Sequence, residues 1–141
     1  MSLASVRPFF RDRLEGLGFE EHIEPFQPNQ IGETIVDDTF HISTGSIVSS
    51  FANQRVHSFD FPITVRIYKK GFVDLLEAYD DIHSTADDVL SDLLDPTVRL
   101  GTVIKDIVPE SIDVLPMDET NDNILYLEMA FTARLELCYG T

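Results

Sequence analysis

The sequence is short of cations, of cysteine and of long apolar runs, and each shortage removes a class of function. Ten Lys and Arg stand against 25 Asp and Glu, a formal net charge of −15. Non-specific affinity for nucleic acid comes from cations that displace counterions around phosphates, so this balance opposes gripping DNA or RNA. Adhesion to an anionic leaflet fails on the same ground. The charge favours solubility and opposes self-association through mutual repulsion. A single cysteine, Cys138, rules out an intrachain disulfide and a multi-cysteine zinc site. It suits a reducing cytoplasm or an assembled particle better than a secretory route. Met1 to Val6 carries neither the basic segment nor the apolar core of a signal peptide. No stretch reaches 18 consecutive apolar residues, so no membrane span is expected.

What remains is an ordinary globular composition, 43% hydrophobic and 25% charged over 141 residues. A chain of that size buries roughly 68–70% of its unfolded surface, enough for one domain over 1–141. Val6, Phe9, Phe10, Leu14 and Leu17 form one helical stripe. Ser5 is placed to cap that helix, Pro8 sits in its first turn, and Gly16 and Gly18 supply its stop. An extended connection holding Pro25, Pro28 and Gly32 leads to a strand over 33–44, with Ile35, Phe40 and Ile42 inward. Phe59, Phe61, Ile63, Val65 and Ile67 alternate with polar partners and make a second strand. Between them, residues 45–57 read as a long, flexible hairpin tip. Pro62 cannot donate to a ladder and marks a bulge or an unpaired stretch. A second helix over 72–94 carries Leu75, Leu76, Tyr79, Ile82, Ala86, Val89, Leu90, Leu93 and Leu94 on one side and Glu77, Asp80, Asp81, Asp87, Asp88 and Asp92 on the other. Asp95-Pro96 ends it. A third strand over 102–115 is irregular around Pro109. The fourth, 124–139, alternates without a break from Leu125 to Tyr139. The order α-β-β-α-β-β predicts an α+β two-layer sandwich, a mostly antiparallel four-stranded sheet with both helices on one face. The other face, built of Thr, Arg, Glu and Tyr, is left uncovered.

Catalytic and metal chemistry finds no pattern. His22, His41, His57 and His83 include no i, i+4 helical pair and no HExxH run. His41 and His57 face each other only if the hairpin brings them together, with Asp38 or Asp60 as further ligands. His83 reads as a core-edge residue. Cys138 has no neighbouring cation in sequence to activate it. The carboxylate pairs Asp37-Asp38, Asp80-Asp81 and Asp87-Asp88 read as solvated surface, since acid–base work needs burial that separates pKa values. No phosphate-cradling glycine loop occurs, and no cofactor is expected. Two features ask for a protein partner instead. One is the tip, where Ile47, Val48 and Phe51 sit among small polar residues beside Arg55. The other is the uncovered face, where Arg66, Tyr68, Tyr126 and Arg134 are residue types enriched at interfaces. A small oligomeric adaptor would use the same features.

In order and spacing the chain resembles the tail terminator, or tail completion, proteins of long-tailed bacteriophages, typified by that of lambda. The likeness runs from a short opening helix, SVRPFFRDRLEGLG, through a long hairpin, VDDTFHIST to SFDFPITVRIYKK. It continues with the amphipathic helix FVDLLEAYDDIHSTADDVLSDLL and closing strands that end ILYLEMAFTARLELCY. The resemblance implies a ring, typically of six copies, that docks on the last ring of the tail tube, stops its polymerisation and presents the head-joining surface. Its partners are then further copies of itself, the tail tube protein and a head-completion or connector protein. The implied location is the virion tail, and the host cytoplasm during assembly. DNA passes through the centre without specific binding, and no membrane is involved. Carboxylates near that passage, Asp118, Glu119 and Asp122 or the second-helix face, would keep it from sticking. The net charge opposes ring closure, so assembly is expected to strengthen as salt rises.

Overall fold

The computed structural model describes residues 3–21, 39–51, 56–70, 75–118 and 121–138, with side chains at all of these but 50, 51, 70, 75, 116–118 and 121–124. Ile35 and Tyr139, expected to face inward, lie outside the described residues. Helix α1 (Val6–Gly16) buries Val6, Phe10 and Leu14 and half-buries Phe9, as the stripe requires. Ser5 does not cap it. Its backbone is already helical, its side chain makes no capping bond, and a 3-10 turn over Leu3–Ser5 leads in instead. Gly18 closes the helix at φ +99, a conformation that costs glycine nothing. The Gly18 N–H donates to Glu15 O and the Phe19 N–H to Leu14 O, which satisfies two terminal carbonyls. The reversal turns Phe19 back onto the core and leaves Leu17 exposed.

Six strands follow: β1 (Glu20–Glu21), β2 (Thr39–Thr44), β3 (Val48–Phe51), β4 (Val56–Lys70), β5 (Ile104–Asp118) and β6 (Asn121–Cys138). Helix α2 (Leu75–Leu93) lies between β4 and β5. The sheet order is β1-β2-β4-β6-β5, with β3 on the same edge of β4 as β2. The architecture is therefore α+β with two helices and a mixed sheet of six strands, not the four antiparallel strands expected. Both additions escape pattern reading for physical reasons. A two-residue Glu-Glu strand, parallel to β2, has no alternation to detect. The β3 sequence VSSF sits in Gly- and Ser-rich surroundings that argue for a loop.

At the centre, β4 pairs with β6 through all 15 of its residues in one unbroken register, Val56 with Cys138 to Lys70 with Ile124. Directly opposed residues point to one face. The ladder therefore lines up Phe61, Ile63, Val65 and Ile67 with Ala133, Phe131, Met129 and Leu127, all buried. Phe40 and Ile42 of β2 and Ile104 and Ile107 of β5 extend that face. Both helices close over it: the Phe10 ring sits 6.0 Å from that of Phe131, and Ile82, Ala86, Val89 and Leu93 of α2 join the same core. Arg13 of α1 clamps Asp92 of α2, its Nε donating to Oδ2 at 2.8 Å with a second bond from Nη2. That bond with Asp92 raises the Arg13 pKa further above its ordinary value.

Leu76 and Leu94 are exposed, although the periodicity put them on the apolar side. They lie about 130° around the helix from the centre of the buried stripe, taking about 100° per residue. The end of α2 falls where expected. Asp95 accepts from the Thr97 N–H at 3.0 Å and the Thr97 hydroxyl at 2.8 Å, and so starts a 3-10 turn, Pro96–Arg99, that carries the chain to β5. Pro109 sits at a register shift of β5, as its missing N–H demands.

Two stability predictions follow. Leu127→Ala is expected to cost about 2–5 kcal/mol in urea unfolding, whereas Leu76→Ala, at a side chain 72% exposed, stays within about 0.5 kcal/mol. The hydrogen bonds from Thr97, backbone first, hold the Asp95 carboxyl below its ordinary 3.8. Its contribution is therefore complete above about pH 4 and fades as the pH falls through the folded-state value. Stability measured against pH should show the gap between the parent and Asp95→Ala narrowing below that point. A constant gap would assign the loss to packing.

Candidate assembly interface

The sheet face turned away from the helices is set by the same ladder, one residue out of phase. Four rows cross it. Thr39, Tyr68, Tyr126 and Leu115 form the first, and His41, Arg66, Glu128 and Asp113 the second. Ser43, Thr64, Ala130 and Ser111 follow, and near the far end Val48, Asp60, Arg134 and Asp106 line up. The rows differ in exposure. Thr39, His41 and Tyr68 are buried, Tyr68 to 1% exposure. The face expected to be uncovered is thus closed along β2 at that end, although Leu115 and Asp113 of β5 are exposed there, and it is open at the other end, where Val48 is 59% exposed and Asp106, Arg134, Glu136 and Cys138 are exposed as well.

Val48 reaches this face through one extra residue. Thr44 pairs with Ile63 and Val48 with Asp60, so Gly45, Ser46 and Ile47 stand opposite Phe61 and Pro62 alone. Shifting the register by one swaps the faces of every later residue. Pro62 is the reason the shift sits there: with no N–H to give, it only accepts, from the Gly45 N–H at 3.1 Å. A side chain at position 45 would press on the proline ring, since a Cβ there falls 3.2 Å from Pro62 Cβ. The expected long tip is therefore, in its described part, a strand laid back along β4. Phe51 pairs with His57, and its side chain is not among those described. Arg55 lies outside the described residues.

The predicted contact residues thus fall into two groups. Arg66, Tyr68 and Tyr126 cluster at the closed end. The Tyr68 and Tyr126 rings lie 5.9 Å apart, and the Arg66 guanidinium sits 5.6 Å from the Tyr126 ring centroid. Arg66 Nη2 also donates to Glu128 Oε1 at 3.4 Å. Partial burial works against the Arg66 charge, but Glu128, with Tyr68 and Tyr126 behind it, carries its pKa above the ordinary value. This cluster is an internal girder of the sheet, and Tyr68 has no surface left to offer. Ile47, Val48 and Arg134 gather at the open end, about 26 Å away by the eight residues between Tyr126 and Arg134. There Arg134 Nε lies 3.8 Å from Asp60 Oδ1. A hollow of about 470 Å³ opens beside them, lined by Ser58, Asp60, Lys105, Asp106, Arg134 and Glu136. Interleaved charges of both signs beside an exposed valine suit a protein surface better than a phosphate. The sequence reading considered Asp60 only as a metal ligand and did not single out Lys105 or Asp106, and the proline that shifts the register was the signal that would have aligned Val48 with Asp60.

Residues weighed for metal or catalytic work are dispersed. His41 pairs with Arg66 while His57 sits nine residues down β4 on the other face, so the hairpin does not bring them together. Asp38 lies outside the described residues. Among the described residues no three His, Cys, Asp or Glu side chains gather as a metal site. Cys138 is exposed on the outer face, opposite Val56. His83 is exposed, its ring stacked 6.5 Å from that of Tyr79, outside the core edge expected for it. Glu77, Asp80, Asp81, Asp87 and Asp88 are exposed on α2, the solvated face read from the sequence, whereas Asp92, placed on that face as well, is half-buried in its bond with Arg13. Of the carboxylates suggested for a central passage, Glu119 lies outside the described residues, and the side chains of Asp118 and Asp122 are not among those described. No described helix is long and apolar enough to cross a membrane.

No protein-family model matches the chain, and no curated protein does. Among solved structures, the chain is similar to one from the virion of a native gene transfer agent particle. That chain is 13% identical with a TM-score of 0.48, and the alignment covers 87% of this chain and 81% of the other.

The two ends of the outer face should respond differently to double-mutant cycles. Arg66 and Glu128, partly shielded, are expected to couple by about 0.5–1 kcal/mol. Arg134 and Asp60, more exposed and farther apart, should couple by less than about 0.3 kcal/mol and lose that in high salt.

Proposed function

We propose that this chain is a structural virion protein, the terminator of a phage-type tail. Copies of it form a ring, six by the resemblance, that caps the tail tube, ends its polymerisation and gives the head a surface to join. Its partners are further copies of itself, the tail tube protein and a head-completion protein. The acidic surface lets DNA pass without sticking, and no reaction is assigned to the chain. What supports this reading is the order and spacing of its elements, from the opening helix to the last strand pair. The observation that carries it is the open end of the outer face. A strand edge, an exposed valine and paired charges are held there by a rigid ladder, where the register shift at Pro62 begins the edge strand β3. Contact surfaces built on such elements keep their shape when they meet a partner.

The test is to add purified protein to polymerising tail tubes and measure their lengths by electron microscopy. The reading expects capped tubes of limited length. Val48→Asp should melt like the parent and fail to limit them. Tubes that grow regardless of the parent protein, with compact dimers in the background, would favour the small adaptor instead.

A further inference from the structure

Eight cationic side chains are described, and six of them have a carboxylate within 4 Å: Arg7, Arg11, Arg13, Arg66, Lys69 and Arg134. The other two, Arg99 and Lys105, make no ion pair among the described residues, although the chain carries −15. Arg99 ends the 3-10 turn that follows α2, and Lys105 is the second residue of β5. Between them stands Leu100, 78% exposed, the most exposed large hydrophobic side chain among those described. Arg99, Leu100 and Lys105 share a hollow of about 240 Å³ with Pro96, Gly101 and Ile104. Gly101 holds φ +79, which fixes the turn that pushes Leu100 outward. Lys105 also borders the mixed-charge hollow on the outer face.

The complement of this corner lies on the same molecule. Leu76 is the second most exposed large hydrophobic described, at 72%. Asp80 and Asp87 lie within about 40° of it around α2, all three on the side turned away from the core. By the helix rise Leu76 lies about 26 Å, and Asp87 about 9 Å, from the end of α2 where the chain leaves for the corner. We infer that the Arg99–Leu100–Lys105 corner of one copy docks on the Leu76–Asp80–Asp87 stripe of the next, head to tail. A nucleic acid is a poor occupant, because two cations neutralise too few phosphates to overcome the net charge. A two-fold dimer is disfavoured as well, since antiparallel α2 helices would set Asp80, Asp87 and Asp88 against their own copies. Unlike patches that repeat in one direction generate a ring or a filament. Repulsion between whole subunits is screened beyond about 8 Å at physiological salt, while pairs in contact are screened far less. The inference rests on the terminator reading in taking a second copy as the occupant.

Cysteine crosslinking at about physiological salt tests it, in a Cys138→Ser background and without tail tubes. Leu100→Cys mixed with Leu76→Cys is expected to give a crosslinked dimer that neither gives alone. The chain carrying both cysteines should give a ladder of trimers and larger species. Arg99→Glu with Lys105→Glu should abolish the ladder, and adding Asp80→Lys with Asp87→Lys should restore it, circular dichroism reporting the fold throughout. No crosslink, or crosslinking that stops at the dimer, overturns the head-to-tail contact. A protein that ladders but never limits tubes supports the contact and contradicts the terminator reading. One that limits tubes without laddering overturns the contact alone.

Discussion

The unbroken register between β4 and β6 is the constraint from which the rest of the structure follows. Because side chains alternate strictly along a strand, one pairing, Ile63 with Phe131, fixes the face of every residue in both strands. The helix side receives an apolar column long enough for α1 and α2 to share, and the outer side receives Ser, Thr, Arg, Glu and Tyr. A slip of β6 by one residue would bury Glu128 under the helices and expose Met129 and Phe131. The cost of burying such a charge makes that alternative prohibitive. The long ladder is therefore also a rigid ruler, and it holds the two ends of the outer face at a constant separation.

Function, on this account, comes from departures from regularity at the edges of that ruler. Pro62 forces one extra residue into the edge strand, and the extra residue delivers Val48 to the outer face beside Asp60 and Arg134. At the opposite end the face is closed along β2. Tyr68 is buried, and Arg66 is held between Tyr126 and Glu128. The same surface thus supplies stiffness at one end and contact at the other. Acidic charge sets the remaining terms: most described cations are tied internally, so the few that are not stand out as places where a partner is attracted.

Much of this was legible in the sequence. The alternation from Leu125 to Leu137 and from Phe59 to Ile67 gave both central strands and their buried faces, because two-residue periodicity is unambiguous over such lengths. The buried stripe Val6, Phe10 and Leu14, the helix stop at Gly18 and the break at Asp95-Pro96 were equally readable, each through a backbone preference of Gly or Pro. Three things were not. Glu20-Glu21 is too short to show a pattern. The VSSF strand is polar enough to pass for loop and is held by β4 rather than by its own propensity. Tyr68 reads as an interface residue by type, and only the structure shows that its surface is already used. Of the expected contact residues, Ile47, Val48 and Arg134 share the open end, while the closed-end cluster owes its residue types to internal packing.

The central claim is that the open end of a rigid sheet face, not a pocket, is where this protein works. Electron cryomicroscopy of the protein bound at tail-tube ends tests it most directly. The account predicts a closed ring on the tube, with Val48, Asp60 and Arg134 buried in contact with another protein subunit and the β4–β6 ladder unchanged. Rings or tube ends in which those three residues face solvent, or particles that carry no ring at all, would contradict it.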